Sequence, residues 1–377
     1  MLPLIDDAVL RPLERLTKAQ NQDYLKACDF LLMYKDNDWT FIAYRREVER
    51  FLQWCFLKEK KLAEIQRAHF EVYIKFCLNP PKDWITTKKT SRFLTQNNTR
   101  IPNPEWKPFT SARLLPKSLR EIFVVCSSLF SFLIQENYIG YNPVIQIRQK
   151  SKYFIKRQSQ RVVRKLSELQ WGYVIETAYL MTVEDPKYER TLFIMSALYS
   201  MYLRISELAS SDRWTPEMGD FTKDNDGHWW FTTIGKGNKE RQIAVSKEML
   251  NSLKRWRTHL KMSPLPLLGD TNPLVPKLLG RGPITSTRPI RRIVQYCFER
   301  AMKRLIEDNH TEAALQLKQA TVHWLRHTGI SEDVKSRPKE HVRDDAGHSS
   351  SSVTDQYIDV EFHERNTSAQ NKRILPK

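Results

Sequence analysis

Nowhere in the 377 residues does an unbroken apolar run approach the ~18 that a transmembrane helix needs, so the sequence predicts no membrane span. The opening MLPLIDDAVLRPLERL lacks a basic n-region followed by an apolar core, which excludes a secretory signal there. Cysteine is scarce. Five residues (Cys28, Cys55, Cys77, Cys126 and Cys297) are an odd number, without a C-x-x-C pair. That excludes a disulfide framework or zinc ribbon, and the apolar neighbours of each cysteine fit reduced, buried thiols of a cytoplasmic protein. Carboxylates are outnumbered, 43 Asp+Glu against 61 Lys+Arg, and none gather at metal-ligand spacing, so no metal site is expected. Asp344 and Asp345 are adjacent and point apart on regular structure. Nor is Gly235-Lys236 a phosphate-binding P-loop: Gly237 stands where Ser or Thr is required, and the upstream glycine is missing.

What remains is a strongly basic chain. A net charge of +18 and a pI near 9.6 point to a polyanionic partner, of which nucleic acid is the commonest. A membrane surface would call for an amphipathic anchor or lipidation signal, and the sequence has neither. The length allows two domains, each with its own core.

Apolar positions recur at helical spacing in four N-terminal segments: about 16–34, from Trp39-Thr40 through Cys55, Ile65 to Cys77, and Ser118 to Glu136. The last carries a stripe of Leu119, Ile122, Phe123, Cys126, Leu129, Phe130 and Leu133, and ends where Gly140 and Asn142-Pro143 punctuate the chain. From Leu78 through Pro116 runs a long segment with six prolines, two tryptophans and Lys82, Lys88, Lys89, Arg92, Arg100, Lys107 and Arg113. A DNA contact and a solvated insertion both suit it. From Arg148 to Lys165 there are eight basic and no acidic residues, a composition that suits a solvated linker and, better in this basic chain, a strap along phosphates.

Further on, Ser167-x-x-Gln170 has capping-box form and opens a helix through Ile175, and Thr191 to Leu208 reads as a second helical stretch. His228 to Ile234 and Arg241 to Val245 read as strands joined by Gly-Lys-Gly-Asn. Two more helices are expected, over Ser246–Leu260 and Ile290–Ile306. No internal repeat is present.

The stretch TVHWLRHTGISEDVKSRPKEHVRDDAGHSSSSVTDQY, from Thr321 to Tyr357, concentrates the chemistry. His323 and Arg326, three residues apart, project from one helix face about 5–6 Å apart. Gly347-His348 follows, and Tyr357 lies nine residues beyond His348. Arginine, histidines and a tyrosine without a carboxylate cluster suit an anion, such as a phosphodiester attacked by a phenol. The spacing H-x-x-R, G-H, Y resembles the C-terminal signature of tyrosine recombinases, the phage-integrase family. Upstream, Tyr202-Leu-Arg-Ile-Ser-Glu-Leu208 resembles that family's first-arginine motif, centred on Arg204, and Ile234-Gly-Lys-Gly-Asn-Lys-Glu-Arg241 its β-hairpin lysine, Lys236.

The resemblance implies a catalytic set of Arg204, Lys236, His323, Arg326, His348 and Tyr357. Tyr357 would be the nucleophile, and a phenol with an unperturbed pKa near 10 needs cationic or hydrogen-bonding neighbours to ionise. Arg204 and Arg326 offer forked donors to a pentavalent phosphorus. Lys236 would protonate the leaving 5′-oxygen, with Lys239 as a neighbour. His323 and His348 would donate to nonbridging oxygens, His323 also accepting the tyrosine proton. Glu207 is placed to pair with Arg204, and His327 and His341 are given structural roles. A phosphotyrosine link keeps the energy of the broken bond, so neither ATP nor metal is required, and no cofactor is expected.

The implied fold is mainly α with a small β-hairpin or sheet, in a two-domain clamp. Residues 1–16 are an N-terminal extension and 17–147 a helical core-binding (SAM-like) domain with its insertion at about 78–116. Residues 148–166 are a basic linker, 167–360 a mixed α/β catalytic domain, and 361–377 a tail that packs on a neighbouring protomer. Lys239, Arg241, Lys150, Lys152, Lys156 and Arg157 are expected DNA contacts. The implied partner is double-stranded DNA at specific recombination sites, bound by a homo-tetramer, with no membrane and no small-molecule substrate. The activity expected is site-specific recombination or integration for a mobile element, Xer-like or transposon-borne and without a separate arm-binding domain. The alternatives are a type IB topoisomerase-like enzyme and a non-catalytic DNA-binding protein on the same fold.

Overall fold

The computed structural model describes residues 17–36, 38–86, 88, 90–96, 99–150, 164–235 and 239–348. The chain divides into two compact units near residue 160.

The first unit is helical. Its helices are α1 (Lys18–Leu32), α2 (Asp38–Leu57), α3 (Arg67–Leu78), α4 (Pro116–Gln135) and α5 (Pro143–Lys150). Thr17 opens α1 with a capping box, its hydroxyl accepting from the Gln20 backbone while Gln20 accepts from that of Thr17. The expected stripe of α4 is the centre of the core: Ile122, Cys126, Leu129, Phe130 and Leu133 are fully buried against Phe51, Phe70 and Tyr73. By length and composition α4 is apolar enough to cross a membrane, but this burial marks it as a core helix. Four fully buried Leu, Ile and Phe side chains supply on the order of 6–12 kcal/mol.

Two features differ from the sequence expectation. A fifth helix follows Asn142-Pro143, where a chain break was expected. Buried Asn142 accepts from Val144 N at 3.0 Å and donates to Ser127 O at 2.9 Å, so it caps α5 while tying it to α4, and Pro143 sits where its missing N–H costs nothing. The insertion also has structure: β1 (Phe93–Gln96) pairs antiparallel with β2 (Thr99–Pro102). It is anchored to α2. Arg92 pairs with buried Glu49 at 2.8 Å, and Arg50 donates to Pro108 O at 2.9 Å while lying over the Phe109 ring.

In the second unit α6 (Glu168–Glu184) opens on the expected capping box of Ser167 and Gln170. α7 (Glu189–Ser200) packs beside it, followed by a three-stranded antiparallel sheet in the order β3 (Phe221–Lys223), β4 (Trp229–Ile234), β5 (Glu240–Ala244). Then come α8 (Lys247–His259), α9 (Thr287–Glu307), α10 (Thr311–Leu317), α11 (Val322–Ser336) and α12 (Lys339–Ala346). Phe193, Ile194, Phe231, Ile243, Leu253, Trp256, Phe298 and Leu325 form its core. The helix expected over Thr191–Leu208 stops at Ser200. Tyr202 adopts φ +49°, and a 3₁₀ turn over Ile205–Leu208 follows. The break lets Tyr202 bury its ring against Ile330, Val342 and Ala346 of α11 and α12.

Candidate active site

The break after α7 aims the backbone of Tyr202 and the side chain of Arg204 at α11. Arg326 projects from α11 and is 6% exposed. Its Nη1 donates to the carbonyl oxygen of Tyr202 and its Nη2 to that of Ala346 at 2.6 Å. Two carbonyls from separate segments thus fix the plane of the fork. His348 follows α12 directly, because Gly347 at φ +64° ends that helix in a left-handed turn that a side chain resists. The turn brings His348 Nε2 to 3.4 Å from Arg326 Nη2.

Arg204 is half-exposed. Its backbone N–H and Nη1 donate to the two oxygens of Glu207, at 2.8 and 2.9 Å. Glu207 is therefore the partner expected from the sequence, though it is not alone with Arg204. Burial by itself raises its carboxyl pKa, but hydrogen bonds and charge from Arg241, with those of Arg204, outweigh burial and hold it below the usual range. His323 lies one turn before Arg326 on α11 and is exposed. Its pKa is lowered by partial desolvation and then by Arg291, Arg326 and Arg204.

The structure therefore brings Arg204, His323, Arg326 and His348 together. Lys236 and Tyr357 lie outside the described residues. Gly235, immediately before Lys236, is placed against the cluster: a Cβ there would meet Arg241 Nη1 at 2.9 Å and Arg204 Nη1 at 3.2 Å. Lys239 is exposed on the hairpin, its carbonyl accepting from Gly235 N at 2.8 Å. Lys150 falls in α5, and Lys152, Lys156 and Arg157 lie outside the described residues.

Arg241 corrects an expectation. Read as a DNA contact, it is instead turned inward with its side chain 8% exposed, paired with both oxygens of Glu207 at 2.9 and 2.8 Å. Buried Glu207 requires compensating charge, and Arg241 supplies it. The acidic pair before His348 is also resolved. Asp344 is exposed and pairs with Arg343, whereas buried Asp345 accepts from Ala244 N at 3.2 Å and Arg337 Nη2 at 2.6 Å. Arg337 also reaches Asp333 and the Tyr202 hydroxyl, so one network ties α11, α12, β5 and Tyr202. Arg291 was missed. It is exposed on α9 and close enough to depress His323, but an i, i+3, i+4 pattern gives an exposed arginine no distinction.

Among the described residues one His/Asp group is close enough to share a cation: Asp224, Asp226 and His228, exposed before β4. Asp224 accepts from the N–H groups of Asp226, His228 and the Trp230 indole, which accounts for the cluster as a turn.

Burial, then neighbouring cations, push His327 and His348 down to about 4. Both are neutral in the folded protein at pH 5–7, whereas unfolded histidines gain protons below about 6.5. The unfolded state therefore binds more protons between pH ~6.5 and ~4, and stability falls as pH drops through that window. After discounting for solvent screening, the loss is expected to be about 2 kcal/mol for the pair. Thermal melts at pH 7 and 4.5 check it: H327Q/H348Q should flatten the dependence, and an unchanged slope would refute this origin.

The Phage integrase family matches residues 174–364, just over half of the chain. The tyrosine recombinase XerC of Haemophilus ducreyi is 26% identical over 142 residues, 38% of this chain and 41% of that protein. XerC of Actinobacillus pleuropneumoniae is 29% identical over 140 residues, 40% of its length, so the matched region is less than half of either relative. A tyrosine recombinase of Pseudothermotoga lettingae is 25% identical over 336 residues, 87% of this chain and 90% of that one. Among solved structures, XerH site-specific recombinase bound to palindromic difH substrate superposes with a TM-score of 0.60 at 16% identity, covering 94% of this chain and 88% of that one. Tn1549 transposon integrase in complex with transposon right end DNA gives 0.54 at 15%, covering 91% and 98%. At these identities the structural likeness establishes the two-domain, mainly helical fold.

Proposed function

Since the chain belongs to the phage integrase family, we propose that it cuts and rejoins double-stranded DNA at specific sites through a 3′-phosphotyrosine link to Tyr357. The observation that carries this reading is the convergence of Arg204, Arg326 and His348 on one spot, with the buried carboxylate of Glu207 already neutralised by arginines. Such a site holds an anion and offers donors to its oxygens without a metal.

The chemistry follows from the side chains. The Tyr357 phenol gives its proton to His323, whose charged form is disfavoured by partial desolvation and then by three arginines. The phenolate oxygen attacks phosphorus, the P–O5′ bond breaks, and Lys236 protonates the departing 5′-oxygen. Arg204 and Arg326 neutralise the two nonbridging oxygens as charge accumulates, and His348 donates a further hydrogen bond. Rejoining runs the same steps backwards with a 5′-hydroxyl as the attacking group. Four protomers on two duplexes exchange strands in pairs, as the family resemblance implies. Lys150, Lys152, Lys156 and Arg157 contact DNA phosphates, and Lys239 contacts DNA from the hairpin. The relatives are named as recombinases and integrases, which favours recombination over topoisomerase-like relaxation. The protein acts on DNA in the cytoplasm.

The test is a nicked suicide duplex, recovered from a randomised pool by covalent capture and assayed in EDTA. The wild-type protein is expected to form a covalent adduct that survives chelation, and Tyr357→Phe to form none. An adduct that persists in the Phe variant, or that vanishes with EDTA, would overturn the mechanism.

A further inference from the structure

We propose that Arg241 is a positioning residue for strand cleavage, bracing Arg204 through Glu207 and His348 through the end of α12. The proposal rests on the phosphotyrosine reading above. Arg241 belongs to β5, yet its side chain engages two other segments. Nη1 and Nη2 donate to the two oxygens of Glu207, at 2.9 and 2.8 Å, and Nε donates to the carbonyl of Asp345 at 3.0 Å. The same carboxylate accepts from Arg204, through Nη1 at 2.9 Å and the backbone N–H at 2.8 Å. One buried anion is thus shared between two guanidinium groups.

Charge shows why the second guanidinium matters. Arg204 with Glu207 alone sums to zero, and a substrate phosphate would gain little from that pair. With Arg241 included the trio carries +1, and Arg204, 27% exposed, is the member facing outward. Arg241 therefore lets Glu207 orient Arg204 without cancelling it. A lysine cannot do this equally, because its single nitrogen lacks the planar fork that spans both carboxylate oxygens and a third acceptor.

Packing reinforces the arrangement. A Cβ on Gly347 would fall 2.7 Å from Arg241 Cδ, and one on Gly235 2.9 Å from Arg241 Nη1. The arginine stem therefore fills the space where the residue before His348 and the residue before Lys236 come closest. Three elements that carry proposed catalytic side chains meet on one residue that itself faces away from solvent. Its charge also bears on His348, whose Nε2 lies 3.4 Å from Arg326 Nη2.

The experiment uses the full chain with R241Q and R241K, and the duplex captured by the wild type. Thermal stability, duplex affinity and single-turnover cleavage at saturating protein are measured together, with His348 titrated by NMR. R241Q is expected to cleave about 100-fold slower with affinity within about threefold of wild type, and R241K to recover less than about tenfold of that loss. The His348 pKa should rise in R241Q and stay near the wild-type value in R241K, which keeps the charge, whereas loosening of the fold would raise it in both by relieving burial. R241K keeps the charge and serves if R241Q folds poorly. Cleavage by R241K at the wild-type rate overturns the proposal, as does an unmoved His348 in R241Q. Absence of any wild-type adduct overturns the phosphotyrosine reading itself, whereas a wild-type adduct with unchanged variant rates overturns only the role of Arg241.

Discussion

An Arg326→Met protein is expected to cleave its duplex about 10³-fold more slowly than wild type and to lose about 2–3 kcal/mol of stability. The two effects have separate causes. Cleavage suffers because a preorganised cationic donor beside the phosphorus is removed, and such donors act where charge develops in the transition state. Stability suffers because the carbonyls of Tyr202 and Ala346 lose their donor while remaining buried. Arg326→Lys separates the two. It keeps a charge, but its nitrogen cannot bridge both carbonyls and still present a fork to phosphoryl oxygens. R326K is expected to regain most of the stability and at most about tenfold of the rate. Single-turnover cleavage with parallel melts decides it, and an R326K rate within tenfold of wild type would remove Arg326 from its proposed place at the phosphate.

Legibility in the sequence followed physical periodicity. His323 and Arg326 were readable as neighbours because residues three apart on a helix share a face, and α11 is that helix. Ser167 and Gln170 announced α6 because a capping box is a local, reciprocal pair. Glycine and asparagine between alternating apolar runs foretold the β4–β5 hairpin. Arg241 was misread for the opposite reason. In a strand, alternate residues face opposite sides, but its neighbourhood of Lys239, Glu240 and Gln242 looks solvated on both, so only the distant Glu207 reveals which way it turns. Tyr202 was misread because an aromatic residue at positive φ leaves no local trace; the cost is met by contacts with Ile330, Val342 and Ala346, more than a hundred residues later. Asp345 read only as one of two adjacent acids that point apart. Its role as acceptor for Ala244 and Arg337 depends on the sheet lying beside α12, and no one-dimensional spacing carries that.

Gly329→Ala is expected to destabilise the second unit by about 3–5 kcal/mol, lowering its melting temperature by roughly 10–15 °C. Gly329 sits in the middle of α11, where glycine is ordinarily a liability of about 1 kcal/mol relative to alanine. The reason it is needed is α7. A Cβ at this position would lie far inside van der Waals contact with the carbonyl oxygen of Tyr199, 3.0 Å from that carbonyl's carbon and 3.2 Å from Tyr202 Cδ1. None of these is a flexible chain end, so the two helices must separate. Separation moves Arg326, one turn earlier, away from the Tyr202 carbonyl that orients it, and cleavage should fall with stability. Gly172 is the control. It lies in the second turn of α6 with nothing within 4 Å of its missing Cβ, so alanine there should leave stability unchanged or raise it by up to about 1 kcal/mol. Propensity favours alanine equally at both sites, so opposite signs in the two melts isolate the helix contact. A Gly329→Ala protein melting within 3 °C of wild type would show that α7 and α11 can part without cost, and that the close approach does not hold the arginine in place.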